Sequence, residues 1–89
     1  MAIRCEFILP QRSEDFERLV CEVHGGLTIT SCQGIWYDRD QKYNDAGNLY
    51  VVATRLPNAL RNEAIAEAKK QGQLAVYFCE GVSGDVYST

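Results

Sequence analysis

The residues best suited to chemistry lie between positions 31 and 48 of this 89-residue chain. This segment collects three aromatic side chains and three carboxylates: Trp36, Tyr37, Tyr43, Asp38, Asp40 and Asp45. Aromatic faces beside carboxylates suit a flat ligand that carries positive charge, which they bind by stacking and by cation–π attraction. A second interpretation stays open, in which the segment is an ordinary solvated hairpin whose aromatic side chains pack on a neighbour.

Other catalytic and metal-binding patterns are weak. The single histidine, His24, is expected to be a cation in the last turn of a helix, where it favours the helix dipole. Cys21 or Cys32 could act as a nucleophile paired with His24. Cysteines scattered over strands and helices are, however, more typical of packing than of catalysis. The acidic hairpin lacks the glycine and the glutamate of a calcium loop, so we expect no metal site.

Composition excludes several classes of partner. The chain has 9 Lys+Arg against 12 Asp+Glu and a net charge of −3, which disfavours nucleic acid as a partner. No apolar run has the roughly 18–20 residues of a membrane span, and the N-terminus has no charged region followed by an apolar one. The four cysteines form no C-x-x-C pair and are expected to be buried and reduced. We therefore expect a cytoplasmic protein.

Strand and helix patterns alternate along the first half of the chain. Apolar residues at every second position predict a strand over 2–9. Ser13 is a suitable N-cap for a helix with one apolar face, and Gly25 and Gly26 end that helix, one of them in a left-handed conformation. β-branched and aromatic residues predict a second strand over 27–37, in which Gly34 marks a bulge or a close backbone approach.

The second half repeats this order around a polar segment. Residues 38–48 carry turn formers and are predicted to be a hairpin loop. A third strand is predicted over 49–56, a helix capped by Asn58 runs to about Gln71, and a fourth strand covers 74–79.

The β-α-β-β-α-β order predicts a single ferredoxin-like α+β domain over 1–89, with two helices on one face of a four-stranded antiparallel sheet. The other sheet face is expected to mix polar and apolar side chains: Arg4, Glu6, Thr28, Thr30, Tyr50, Val52, Ala75 and Tyr77. Such a face suits a subunit interface, as does the short chain. The tail after Gly81 holds Val82, Val86 and Tyr87, and we expect it to pack in an extended form on its own sheet edge or on a neighbouring subunit.

Several short features occur together from about Phe16 to Tyr87. A helix ends before Gly26-Leu-Thr-Ile, a strand ends in Gly34-Ile-Trp-Tyr37, and Asp45 stands four positions before the next hydrophobic strand. An Ala/Leu-rich helix then leads into Ala75-Val-Tyr77, and Gly84-Asp-Val-Tyr87 follows. In these features the sequence resembles the phage S-adenosylmethionine lyases, formerly described as S-adenosylmethionine hydrolases.

The resemblance implies a homotrimer of ferredoxin-like subunits with active sites between neighbours. Such lyases split S-adenosylmethionine into methylthioadenosine and homoserine lactone, which deprives host restriction and methylation systems of their cofactor. The resemblance also implies a functional pair: Tyr37 matches the tyrosine of the family, and Asp45 stands where the family has a glutamate.

This reaction needs neither an enzyme nucleophile nor a cofactor, because the carboxylate of the substrate attacks and a neutral thioether leaves. The protein has to hold that carboxylate behind the γ-carbon and exclude water. The backbone around Gln33 and Gly34 is expected to approach the adenine, and Trp36 and Tyr43 are the remaining substrate-binding candidates.

Other functions remain open. The protein is alternatively a non-enzymatic trimeric module that binds or sequesters a nucleotide, although an anionic nucleotide calls for Arg or Lys at the cleft and this hairpin carries more acid than base. A second alternative is a lyase that acts on a conjugate of S-adenosylmethionine and AMP. A third is a structural assembly protein whose aromatic hairpin is an interface.

Overall fold

The computed structural model of the protein describes all residues, 1–89. The elements, in chain order, are β1 (Ile3–Leu9), α1 (Glu14–His24), β2 (Thr28–Asp38), β3 (Gln41–Thr54), α2 (Pro57–Lys70), β4 (Ala75–Glu80) and β5 (Ser83–Ser88). All strand pairs are antiparallel, and the sheet has the order β2-β3-β1-β4-β5. The predicted β-α-β-β-α-β order is therefore confirmed, but the predicted four-stranded sheet is wrong, because the tail adds a fifth strand. Neither helix is long and apolar enough to cross a membrane.

The fifth strand is formed by the C-terminal tail. It pairs with β4 from Ala75 opposite Ser88 to Glu80 opposite Ser83. The Tyr87 ring packs edge-on against Phe78, with ring centroids 6.4 Å apart. The expectation of an extended tail on its own sheet edge is thus confirmed. The tail contains too few alternating apolar residues for its sequence to predict a strand by itself.

The core lies between the sheet and the two helices. Its central aromatic cluster is built around Phe7, which stacks on Tyr50 at 5.0 Å and on Phe78 at 5.9 Å. Phe16 from α1 meets Phe7 and Tyr50 edge-on, at 5.9 and 5.8 Å. Offset stacking and edge-on contacts are the favourable geometries for aromatic rings, so this cluster helps to hold α1 against the sheet.

The face predicted for Tyr50 and Val52 is wrong. The register pairs Phe7 with Tyr50 and Cys5 with Val52, and directly opposite residues share a sheet face. Both side chains therefore lie in the core beneath the helices. The other residues predicted for the open face do lie there by register: Arg4, Glu6, Thr28, Thr30, Ala75 and Tyr77.

The prediction that the polar segment 38–48 is a loop is wrong. Most of this segment belongs to the paired strands of a long hairpin. β2 and β3 pair without interruption from Thr28 opposite Val51 to Asp38 opposite Gln41. Only Arg39 and Asp40 form the turn, and Arg39 adopts a φ of 58°. The same unbroken register shows that Gly34 marks no bulge. Residues 33–46 are exposed throughout, so this end of the hairpin extends beyond the helices.

The ends of the first helix agree with the sequence, whereas the start of the second does not. The Ser13 hydroxyl accepts a hydrogen bond from the Phe16 amide at 3.3 Å, and Gly25 adopts a left-handed φ of 98°. The second helix begins at Pro57, one residue before the predicted cap Asn58. Proline suits the first helical position because that position needs no amide hydrogen.

Candidate functional site

The six predicted site residues all lie on the protruding β2–β3 hairpin: Gln33, Gly34, Trp36, Tyr37, Tyr43 and Asp45. Side chains alternate between the two faces of a regularly paired hairpin. Trp36, Tyr43 and Asp45 consequently share the open face of the sheet, together with the Cα of Gly34. Gln33 and Tyr37 belong to the opposite face, on the side of the helices.

Three of these residues form one contact cluster. The Trp36 and Tyr43 rings face each other across the strands, with centroids 4.3 Å apart and planes 14° from parallel. The indole N–H of Trp36 donates a hydrogen bond of 2.9 Å to Oδ2 of Asp45. The structure therefore joins the aromatic pair directly to the carboxylate that the sequence had singled out.

Tyr37 is separate from this cluster. It pairs with Lys42, its side chain is 65% exposed, and it points to the other face of the hairpin. Tyr37 and Asp45 of the same chain thus do not face a common ligand position. A site that uses both residues needs Tyr37 from one copy of the chain and Asp45 from another.

Asp45 and Gly34 line a groove on the open face. The groove opens where β1 and β4 separate, because their pairing stops at Phe7 opposite Phe78 while β1 continues beside β3 to Leu9. Its volume is about 350 Å³, within the range of about 300–1,000 Å³ that is usual for small-molecule sites. Its lining residues are Ile8, Pro10, Gly34, Asp45, Ala46, Gly47, Gln73, Ala75, Val76 and Tyr77. Asp45 is the only charged residue among them.

Small residues keep the groove open on the hairpin side. A Cβ atom added at Gly47 would lie 3.1 Å from Cγ2 of Ile8, so a side chain there would press on the groove floor. Gly34 likewise presents no side chain beside Asp45. The backbone therefore offers an approach for a flat ligand at Gly34, whereas Gln33, expected to share this role, does not line the groove.

Tyr77 forms part of the wall across the groove from Asp45 and was missed as a site residue. Its ring covers Gly84 of the neighbouring strand, and a Cβ atom added at Gly84 would overlap the Tyr77 hydroxyl. The pKa of Tyr77 is raised, first by its interaction with the Cys79 thiol, so its hydroxyl is protonated at neutral pH. The Tyr77–Gly84 contact depends on the register in which β5 pairs with β4, and local sequence patterns do not specify that register.

His24 has a structural position. Its buried ring lies with Nδ1 2.5 Å from the Thr54 hydroxyl and Nε2 2.8 Å from the Glu63 carboxylate. The Thr54 hydroxyl is itself buried and accepts a hydrogen bond from the Leu56 amide. Both ring nitrogens of His24 therefore have protein partners, and its side chain is not exposed to a substrate. His24 does lie in the last turn of α1, and these contacts also tie that turn to β3 and α2.

The cysteines only partly follow their prediction. All four are free thiols, and Cys5 is buried in the core. Cys21 is exposed on α1, and Cys32 and Cys79 are half-buried. The expectation that all of them are buried is therefore wrong, because the helix and sheet faces that carry the other three are not covered within one chain.

Comparisons with known proteins give one structural match. No protein-family model and no curated protein matches the sequence. Among solved structures, the chain is similar to a phage S-adenosylmethionine lyase in complex with S-methyl-5'-thioadenosine, with a TM-score of 0.64 and 10% sequence identity. The match covers 99% of this chain and 88% of the other. The chain therefore has the fold of a phage S-adenosylmethionine lyase, the family that its sequence resembles.

Proposed function

We propose that the protein is an S-adenosylmethionine lyase that counteracts host restriction and methylation. The observation that best supports this is the structural match, over 99% of the chain, to a lyase that holds methylthioadenosine. The groove beside Asp45 adds a place of suitable size for a small ligand on the same sheet.

The proposed reaction uses groups that the substrate already carries. One oxygen of its carboxylate forms a bond to the γ-carbon, and the bond between that carbon and sulfur breaks. The electron pair of the broken bond stays on sulfur, so the sulfonium becomes the neutral thioether of methylthioadenosine, and the other product is homoserine lactone. No proton moves in this step, so the protein contributes positioning and exclusion of water.

Asp45 fits a role in binding the charged substrate. It is the only charged residue that lines the groove, and S-adenosylmethionine carries both a sulfonium and an ammonium group. A carboxylate aimed at sulfur would oppose the loss of positive charge in the transition state. We therefore assign Asp45 to the ammonium group or the ribose hydroxyls.

The proposed assembly is a homotrimer with sites between subunits. Apolar side chains remain exposed on the open face of the sheet, among them Ile8, Tyr77 and Val86. In such an assembly Tyr37 of a neighbour would complete the site and hold the methionine chain in its folded, reactive shape. The proposed location is the cytoplasm, where the substrate is consumed.

The reaction is tested by incubating the purified protein with S-adenosylmethionine and separating the products by chromatography. We expect methylthioadenosine and homoserine lactone; homoserine as the first product would instead indicate attack by water. Tyr37→Phe should lower turnover more than affinity, Asp45→Asn should lower both, and Asp45→Glu should retain or raise activity. Asp40→Asn, in the hairpin turn, is the matched control and should resemble the parent.

Two outcomes would contradict the proposal. If Tyr37→Phe and Asp45→Asn both act like the parent, the site lies elsewhere. If the parent neither binds nor cleaves S-adenosylmethionine, the function is wrong. The assembly is tested separately by light scattering, where a particle of the single-chain mass, 10.0 kDa, would refute the trimer.

Nucleotide sequestration and cleavage of an AMP conjugate receive less support. Both ligands carry an anionic phosphate, yet no lysine or arginine lines the groove. The nearest cations of the hairpin, Arg39 and Lys42, lie at its tip among Asp38 and Asp40. Failure of AMP to compete with S-adenosylmethionine would agree with this charge pattern.

A further inference from the structure

We infer that Trp36 is a positioning residue that holds Asp45 toward the groove, rather than a surface on which the ligand stacks. This inference rests on the proposed function, because it concerns how the same groove binds a cationic adenosyl ligand. It changes the role that the sequence suggested for Trp36 and Tyr43, which was direct contact with the substrate.

The hydrogen bond between Trp36 and Asp45 fixes the carboxylate. An exposed aspartate on a strand samples several rotamers, and each rotamer would aim its charge differently. The indole N–H, which can only donate, is 2.9 Å from Oδ2 and so favours one of these rotamers. The other oxygen, Oδ1, remains available to a ligand in the groove.

Tyr43 in turn fixes the indole. Its ring stacks on one side of Trp36 at 4.3 Å, which covers one face of each ring. Asp45 and Gly34 line the groove, but Trp36 and Tyr43 do not. The two rings therefore support the carboxylate from outside the groove, and a ligand in the groove meets Asp45 first.

A purely structural role for the ring pair makes a different prediction. Cross-strand aromatic pairs stabilise a hairpin by packing, and packing does not require the indole N–H. Trp36→Phe keeps an aromatic ring opposite Tyr43, with a smaller stacked surface, and removes the N–H donor. A packing role would survive this substitution, whereas a positioning role would not.

The contact can be measured without ligand. The chain has one tryptophan, so a protein labelled with ¹⁵N gives a single indole N–H signal. We expect Asp45→Ala to shift this signal and to speed its exchange with water, while Asp40→Ala leaves it unchanged. An identical signal in the parent and in Asp45→Ala would overturn the inference.

Ligand binding then shows whether the contact matters. We expect Trp36→Phe to weaken binding of S-adenosylmethionine by about three- to tenfold, the range for loss of one hydrogen bond. In the Asp45→Ala background, Trp36→Phe should cause no further loss, because Trp36 acts through Asp45. The affinity of Trp36→Ala for S-adenosylmethionine should be at most about threefold lower than that of Trp36→Phe, because Trp36 does not stack on the ligand in this proposal.

Additive losses in the double variant would overturn the inference and indicate direct stacking, as would a much larger loss in Trp36→Ala than in Trp36→Phe. Ile35→Ala, which alters an exposed side chain of the same strand on the other face, is the control and should bind like the parent. If the parent itself binds no S-adenosylmethionine, the proposed function fails. In that case the indole N–H signal by itself tests the contact between Trp36 and Asp45. A shift of the signal in Asp45→Ala supports the contact, and an unchanged signal refutes it.

Discussion

Tyr50 carries the only buried side-chain oxygen or nitrogen atom in the chain without a partner at hydrogen-bond geometry, its phenolic hydroxyl, which interacts with the Glu17 carboxylate but forms no well-aligned bond to it. Its ring is fully buried and stacks on Phe7 at 5.0 Å. Tyr50→Phe removes the hydroxyl and keeps the stacked ring. We therefore expect that Tyr50→Phe, although it lies in the centre of the core, does not destabilise the protein.

The expected gain at neutral pH follows from two opposing effects. A buried polar group without a partner costs about 1–3 kcal/mol, and its removal recovers part of that cost. The small void left by one oxygen atom offsets some of the gain. The free energy of unfolding should rise by about 0–1 kcal/mol, which corresponds to a melting temperature up to roughly 4–8 °C higher for a chain of this size.

The stability advantage of Tyr50→Phe over the parent should grow at alkaline pH. Burial, and then the negative charge of Glu17, raise the pKa of Tyr50 from 10.0 to about 12. Below pH 10 Tyr50 is protonated in both states, but between pH 10 and 12 the unfolded chain releases a proton that the folded chain retains. The parent therefore loses stability as pH rises through this window. The loss is at most about 2.7 kcal/mol, and about 1–2 kcal/mol once solvent screening is allowed for.

Urea unfolding at pH 7 and at several values between pH 9 and 11 measures both effects. Tyr87→Phe is the control, because Tyr87 is only half-buried, and it should change stability by less than about 0.5 kcal/mol. A loss of more than about 1 kcal/mol in Tyr50→Phe at pH 7 would show that the hydroxyl is satisfied after all. Parallel decline of parent and Tyr50→Phe with pH would refute the titration argument.

Two further substitutions and one deletion test the fold. Gly84→Val should displace the Tyr77 ring and lower the free energy of unfolding by about 1–3 kcal/mol, as overpacking does, and an unchanged near-UV circular dichroism spectrum would contradict this. Ser13→Ala should cost about 1 kcal/mol, because the Phe16 amide loses its acceptor; chemical denaturation measures this, and no change would mean that water replaces the cap. Deletion of residues 82–89 removes the strand paired with β4 and should lower the melting temperature by more than 5 °C, about 1 kcal/mol, and weaken any assembly. A truncated protein that melts like the parent would show that this strand is dispensable.

The sequence by itself determined the elements whose signals are local. The alternation over the first strand and the Ser13 and Gly25 ends of the first helix depend on residues close together in the chain, and the structure confirms them. The β-α-β-β-α-β order follows from the same local patterns. The family resemblance, drawn from short features, agrees with the fold of the structural match.

The sequence predicted part of the candidate site, namely that Asp45 lies among aromatic residues. Its carboxylate stands among aromatic residues within one short segment, and the structure joins it to Trp36 and Tyr43. The sequence could not tell that Trp36 bonds to Asp45 rather than facing the groove. That distinction depends on which residues lie opposite each other across the hairpin.

Only the tertiary structure decided the faces and the groove. Residues 49–52 are apolar on both sides of their strand, so their pattern could not place Tyr50 in the core; pairing with β1 did. In the same way, the register of the hairpin separates Tyr37 from Asp45, and the early end of the β1–β4 pairing opens the groove. A shift of one residue in register moves every side chain of a strand to the other face. Register is fixed by contacts between residues far apart in the chain, and no local pattern contains that information.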